Sequence, residues 1–158
     1  MPNNIKLSIS DTKVLDVCCK IEEVGADIYR HFSRLFADNP KARELWIKTS
    51  IEEDNHAEQF RLASRLQGQG MHSLKTDLDK VNDILTKIQS LYESIVKSSP
   101  SYQEALRLAI KLEYSMINCH VYDISNFNDE NIAHLFLAMM QNDKDHIMML
   151  EKALDELS

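Results

Sequence analysis

The stretch that decides the fold is WIKTSIEEDNHAEQFRLA at residues 46–63, whose apolar residues recur with the period of an α-helix. One face of that helix carries Trp46, Ser50, Glu53, His56, Ala57, Phe60 and Ala63. Side chains three residues apart on a helix are neighbours, so Glu53 and His56 are predicted to point together into the interior. Glu52 and Glu58 fall outside this face, and we expect substitution of Glu52 to leave metal binding nearly unchanged.

The same pattern returns near the end of the chain, in MMQNDKDHIMML at residues 139–150. Asp143 and His146 have the same acid-x-x-His spacing as Glu53 and His56. They lie on a predicted helix face that also holds Ile132, Leu135, Phe136, Met139, Leu150 and Leu154. The second motif is therefore also predicted to face a core.

Two other predicted helices each place a single acid on an apolar face. The first face consists of Leu15, Cys18, Glu22, Gly25, Tyr29, Phe32 and Phe36. The second consists of Leu106, Ala109, Glu113, Met116, His120 and Ile124. Glu22 precedes Glu53 by 31 residues, and Glu113 precedes Asp143 by 30, so the two halves of the chain repeat one arrangement. The adjacent Glu23 lies on a polar face and is expected in solvent.

The chain is predicted to be all-α and a single domain, residues 1–158. Its three Gly and three Pro are few, and Leu, Ile, Lys, Glu, Asp and Ala dominate. Capping residues, with Asp11 opening the first helix, and breakers such as Asn39-Pro40, Gly68-Gln69-Gly70 and Ser99-Pro100-Ser101 divide the chain. The predicted helices span 11–37, 41–67, 77–97, 101–124 and 129–157.

Short connections at 38–40 and 125–128 predict two antiparallel helical hairpins, and residues 68–100 form a long link between them. Together the four longest helices predict a four-helix bundle with a helical crossover. The crossover helix would pack on the outside of the bundle through a stripe of Leu78, Val81, Leu85, Ile88, Leu91 and Ile95.

Composition and charge exclude several classes of protein. A formal net charge of −7 and a pI near 5.3 argue against binding to nucleic acid, which requires a basic face. The N-terminus has no signal-peptide pattern and no apolar run is long enough to span a membrane, so we expect a cytoplasmic protein without a membrane partner. Cys18, Cys19 and Cys119 form no CxxC pair, which leaves neither a disulfide framework nor a zinc-ribbon or rubredoxin-type site; we expect reduced, structural thiols.

Four carboxylates converging on one core would each be costly to desolvate and would repel one another. One alternative is that they reach solvent or pair with nearby Lys and Arg, but the core stripes contain no basic partner other than histidine. Two divalent cations would cancel the four negative charges, and two neutral imidazoles would add nitrogen ligands. The predicted metal ligands are Glu22, Glu53, His56, Glu113, Asp143 and His146.

At these positions residues 11–157 resemble the ferritin-like superfamily, and within it the rubrerythrin-like di-iron domains, in which two helices each give a Glu and two each give a Glu-x-x-His. The resemblance implies a bundle fold and two iron ions as cofactor, although other divalent metals are possible. It also implies that Tyr29 matches the tyrosine that lies beside the metal carboxylates in this family. The alternative is that Tyr29 is an ordinary core aromatic. Asp143 departs from the family pattern, in which Glu is usual, and its shorter side chain would weaken the second site.

The resemblance implies a soluble oxidoreductase in which Fe(II) reacts with O2 or hydrogen peroxide, as a peroxidase or ferroxidase. Glu53 and Asp143 would bridge the metals, Glu22 and Glu113 would be terminal, and each metal would take one histidine. The rubredoxin-like domain of full rubrerythrins is absent, so reducing equivalents would come from an external electron donor or from the iron itself. A metal carrier or sensor without turnover and a metal-free interaction bundle are the alternatives.

Three further expectations concern residues outside this ligand set. His120 is either an extra ligand or a core histidine, whereas His31, His72 and His134 lie off the acid-bearing faces and receive no role. The last helix carries methionines around its circumference, at Met139, Met140, Met148 and Met149. One core stripe cannot use all four, so we expect a homodimer.

Overall fold

A computed structural model describes residues 7–66, 71, 73–74, 76–118 and 127–157. These residues form five helices, α1 (Ile9–Leu35), α2 (Pro40–Arg65), α3 (Leu78–Ser98), α4 (Tyr102–Ile117) and α5 (Glu130–Asp155). Their only strand-like pairing is one isolated antiparallel bridge between Met71 and Phe127. The prediction of an all-α fold is confirmed. Within the same residues, no helix combines the length and the apolar character needed to cross a membrane.

Side-chain caps fix where the helices begin. The prediction that Asp11 caps α1 is wrong, because the Ser8 hydroxyl accepts the Asp11 backbone N–H at 3.0 Å and places Asp11 inside the first turn. Helix α4 opens with a capping box in which Ser101 and Glu104 bond each other's backbone N–H. The caps of the remaining helices are Asn39, Asp77 and Asp129.

Most predicted helix bounds differ from the observed ones by one or two residues. The exception is the fourth helix, predicted to reach residue 124 but ending at Ile117, with Asn118 as its C-cap. Cys119, His120 and the rest of that predicted segment lie outside the described residues, as do Gly68-Gln69-Gly70.

Helix α1 packs along α2 and also against α3, while α4 packs along α5. Helix α3 meets the core through the predicted stripe: Val81, Ile88 and Ile95 are buried, and Leu78, Leu85 and Leu91 are partly buried against the core. Contacts of α1 with α4 and of α2 with α5 join the remaining faces. The acid-bearing faces of α1, α2, α4 and α5 therefore share one interior.

An aromatic layer supports this interior next to the acids. The Tyr29 ring stacks on Trp46 with centroids 5.7 Å apart, and Phe32 packs against the same indole at 4.9 Å. Tyr102, at the start of α4, meets Trp46 edge-on at 6.3 Å. These contacts fix the position of the Tyr29 ring between α1 and α2.

Candidate metal centre

Each of the four acid-bearing helices buries its acid near its middle. Glu22 on α1, Glu53 on α2, Glu113 on α4 and Asp143 on α5 are all 2% exposed or less. The two histidines, His56 and His146, are equally buried. Such groups are costly to bury unless they are paired or bound to metal, so their convergence needs a chemical explanation.

The six predicted ligands form two groups that share a residue. Ligand atoms of Glu53, Glu113, Asp143 and His146 all lie within 4.8 Å of one another, and so do those of Glu22, Glu53 and His56. We call the first group the His146 site and the second the His56 site. Glu53 belongs to both, as a bridging carboxylate would.

Both imidazoles turn Nδ1 towards the carboxylates. His56 Nδ1 lies 3.1 Å from Glu53 Oε2, 3.5 Å from Asp143 Oδ1 and 3.7 Å from Glu22 Oε2. His146 Nδ1 lies 3.1 Å from Glu53 Oε1 and 3.6 Å from Glu113 Oε2. Each oxygen of Glu53 thus faces a different histidine.

Tyr29 contacts this cluster directly. Its hydroxyl donates a hydrogen bond to Glu113 Oε1 at 2.5 Å. Burial, and then the charges of Glu113 and Glu53, raise the pKa of the Tyr29 phenol well above its usual range. The phenol therefore keeps its proton and serves as a donor to the carboxylate.

The carboxylates have unlike protonation tendencies in the absence of metal. Burial, followed by the charge of Glu53, raises the pKa of Glu113 to about 7, and the same two causes raise the pKa of Glu22 well above its usual range. Burial also opposes ionisation of Glu53, but hydrogen bonds from Glu22, His146 and His56 outweigh it and lower the Glu53 pKa. Of these three glutamates, Glu53 is therefore the one that holds its negative charge.

The pKa values of both histidines are raised, although burial usually lowers the pKa of an imidazole. Burial alone would lower the pKa of each, but hydrogen bonds that the imidazoles donate to the acids, together with the negative charges of those acids, raise the pKa of His56 and raise that of His146 to about 11. Protons on the imidazoles and on Glu22 and Glu113 thus balance the buried charge. Cations bound at the same place would replace those protons.

The donor set fits two divalent cations. Buried oxygens Glu22 Oε2 and Glu113 Oε2 accept no hydrogen bond from the described residues. Among those residues, no Lys or Arg lies within 4 Å of Glu22, Glu53 or Glu113, whose ion-pair partners are the two histidines. Carboxylate oxygens and imidazole nitrogens together are suited to iron and to other first-row divalent metals.

Two residues that contact the cluster were not predicted from the sequence. Glu52 lies outside the predicted core face, yet its side chain is only 23% exposed and its carboxylate contacts His146 Nε2. The Asn142 amide nitrogen lies 3.3 Å from His56 Nε2. Glu52 follows the buried Thr49 by three residues and precedes His56 by four, so its place at the edge of the buried stripe was the available signal.

The remaining candidates lie away from the cluster or outside the described residues. Glu23 pairs with Arg61 at the surface, as expected for its polar face. His31 packs near Tyr92 with ring centroids 6.5 Å apart, and His134 is exposed. His72 and His120 lie outside the described residues. The methionines of α5 are unequally exposed, from the buried Met139 to Met148 at 68%.

Comparison of the chain with protein-family models, curated proteins and solved structures finds no match.

Proposed function

We propose that this chain is a di-iron carboxylate protein and an oxidoreductase, in which two Fe(II) ions are oxidised by O2 or hydrogen peroxide. The observation that carries the proposal is the position of Glu53, which belongs to both ligand groups and offers one oxygen to each side. Two histidines, one on each side, complete a donor set of the kind used for paired metals in helical bundles.

We further propose that the fold is a ferritin-like four-helix bundle made of two antiparallel hairpins. The extensive packing of α1 on α2 and of α4 on α5 supports the two hairpins, and α3 within the link 68–100 supports the crossover. In such a bundle, ligands on facing helices project into one core, as the four acids do here.

The roles follow from the distances. Glu22 belongs only to the His56 site and Glu113 only to the His146 site, so each would be a terminal ligand. Asp143 belongs to the His146 site, yet its Oδ1 also lies 3.5 Å from His56 Nδ1. Because its ligand atom joins only the His146 group, we assign Asp143 to that site and the bridging position to Glu53.

Two bound Fe(II) ions would supply the two electrons that, with two protons, reduce hydrogen peroxide to two water molecules. The chain itself holds the reacting region away from bulk water, because all six ligands are 2% exposed or less. Tyr29 holds Glu113 by its hydrogen bond and limits the rotation of that carboxylate. Metal binding must displace the protons on Glu22, Glu113 and the imidazoles, so metal affinity is expected to rise with pH.

The second candidate is a metal carrier or sensor without turnover. The burial of all six ligands favours it, because closed sites are typical of metals that are held rather than used. The His56 site has only three ligand residues against four in the His146 site, which leaves an open position for an oxidant and favours the enzyme. In a metal-free interaction bundle, protons on the imidazoles, Glu22 and Glu113 would have to offset the charge of the buried acids, and the desolvation cost of so many ionisable groups disfavours this alternative.

Anaerobic loading with two equivalents of Fe(II), followed by hydrogen peroxide or O2 in separate runs, tests the proposal. We expect rapid formation of Fe(III) in the wild type, and repeated turnover when a chemical reductant is supplied. Glu53→Gln should reduce the rate to that of free iron, and Glu58→Gln, an exposed charge change on the same helix, should not. If the chain binds metal but does not accelerate oxidation, the oxidoreductase proposal is wrong and the protein is a metal carrier or sensor.

A further inference from the structure

Each histidine of the cluster has an outer nitrogen, Nε2, that points away from the carboxylates. Glu52 contacts His146 at this nitrogen, and Asn142 lies 3.3 Å from His56 at the same position. Glu52 directly precedes Glu53, and Asn142 directly precedes Asp143. In each acid-x-x-His motif, the residue directly before the acid therefore contacts the histidine of the other helix.

We propose that Glu52 and Asn142 are positioning residues that make the two metal sites unequal, so that the His146 site binds metal more tightly and fills first. The inference rests on the proposed function, because it presupposes that the cluster holds two metals. It adds which of the two sites is stronger and which residues set the difference.

The chemistry begins with the tautomer. An imidazole that binds metal through Nδ1 carries its proton on Nε2, and the acceptor of that N–H fixes both the tautomer and the ring orientation. A carboxylate at Nε2 makes a charge-assisted hydrogen bond and increases the donor strength of Nδ1. The Glu52 carboxylate makes this contact with His146 Nε2.

Asn142 supplies a weaker partner to His56. A side-chain amide is neutral, and it can accept from Nε2–H only through its oxygen, which a half-turn of the amide group brings into place. The orientation of His56 is still constrained by the contact at 3.3 Å. The gain in donor strength at Nδ1 should be smaller than at His146, because the acceptor carries no charge.

The count of ligands points the same way. The His146 site contains three carboxylates, from Glu53, Glu113 and Asp143, whereas the His56 site contains two, from Glu22 and Glu53. More negative charge around a divalent cation strengthens its binding. Glu52 therefore adds its negative charge to the His146 site, which already has more carboxylates than the His56 site.

Burial gives Glu52 a fixed place. The His146 side chain is 2% exposed and that of Glu52 is 23% exposed, so the carboxylate stands between the buried imidazole and solvent. A surface glutamate would be free to turn away, but this one occupies the outer edge of the cluster. A change from Glu52 to Gln keeps the shape of the side chain and removes its charge.

The test is an anaerobic titration of the metal-free full chain with Co(II), followed by visible absorption and by equilibrium dialysis. Wild type should bind two equivalents in two steps. Glu52→Gln should weaken the tighter step by about 10- to 100-fold, the usual effect of losing an outer hydrogen-bond partner of a ligand, and should leave the other step unchanged. Asn142→Asp should strengthen the weaker step, and Glu58→Gln should change neither.

Absorption bands of the first equivalent identify the site: they should shift in Glu113→Gln and stay unchanged in Glu22→Gln. Two equal steps in wild type, or equal weakening of both steps by Glu52→Gln, would overturn the inference while leaving the metal site intact. No binding of Co(II) by wild type would instead overturn the proposed function. If Glu52→Gln does not fold, as judged by circular dichroism, Asn142→Asp decides: a weaker step that does not strengthen counts against the inference.

Discussion

The shared position of Glu53 makes a stability experiment sensitive to the two-site arrangement. Glu22→Gln removes a ligand only from the His56 site, Glu113→Gln only from the His146 site, and Glu53→Gln from both. A metal that binds the folded chain alone stabilises it through each site separately. Stabilisation by metal should therefore be partly lost in the first two variants, more so in Glu113→Gln, which removes the site that we infer to be tighter, and nearly lost in the third.

The magnitude follows from chain length and mass action. At a metal concentration a hundredfold above Kd, each site adds about 2.7 kcal/mol to the free energy of unfolding. An unfolding entropy of about 2.1 cal/mol/K per residue gives about 0.33 kcal/mol/K for 158 residues. One occupied site should then raise Tm by about 8 °C, and two sites by about 16 °C.

Thermal melts by circular dichroism with and without Zn(II), with free metal at a hundredfold excess over the wild-type Kd of the weaker site, supply the measurement. The comparison is the metal-induced shift within each variant, which removes the effect of a mutation on the metal-free protein. Glu58→Gln, exposed on the same helix, should show the full wild-type shift. A Glu53→Gln protein that still gains about 8 °C or more would refute the shared-ligand reasoning, and an unshifted wild type would refute the metal site.

Three further outcomes are expected. Tyr29→Phe removes the buried donor to Glu113 Oε1 and should lower the free energy of unfolding of the metal-free protein by about 1–3 kcal/mol in urea titrations, whereas the part-exposed Tyr102→Phe should cost less. The Tm of the metal-free protein should fall between pH 5 and pH 8. The pKa of Glu113 is raised from 4.5 to about 7, and the pKa of His146 is raised from 6.5 to about 11. The stability that each group contributes is complete below its unfolded pKa and is lost as pH rises towards its native pKa. The lowered pKa of Glu53 acts only below this window, and a Tm that rises over it would contradict the assignment. Glu23→Gln breaks a surface ion pair with Arg61 and should change stability by about 1 kcal/mol or less and leave metal content unchanged, as measured by elemental analysis.

The sequence was sufficient to predict the helices and the buried acids because both depend on one periodicity. An acid on an otherwise apolar stripe, such as Glu22 or Glu113, stands out from its neighbours, and the structure buries both. Capping was less predictable, since Ser8 and Asp11 are both suitable residues and the choice depends on which hydroxyl or carboxylate reaches a free N–H. The end of α4 at Ile117 was missed because nothing in the apolar pattern stops there.

Glu52 shows where stripe reasoning fails. A stripe divides residues into inside and outside, but a helix face has width, and a long side chain at its margin can reach inwards. Which nitrogen of each histidine faces the acids also cannot be predicted from spacing, because it depends on ring orientation in three dimensions. The contact of Glu52 with His146 needs both pieces of information. For the same reason Glu52, which looks like a suitable neutral control beside Glu53, would be a misleading one.

The repeat that makes the two halves look alike in sequence also exposes where they differ. Corresponding positions hold Glu53 and Asp143, and directly before them Glu52 and Asn142. On α2 both residues are charged and long, and the pair reaches His146; on α5 the acid is shorter and its neighbour is neutral. A symmetric scaffold with these side chains cannot give two equal sites, because Glu52 places a charge beside His146 whereas the neutral Asn142 places none beside His56. If the chain oxidises Fe(II), this asymmetry would let the stronger site hold its iron while the weaker one, with only three ligand residues, is the side open to the oxidant.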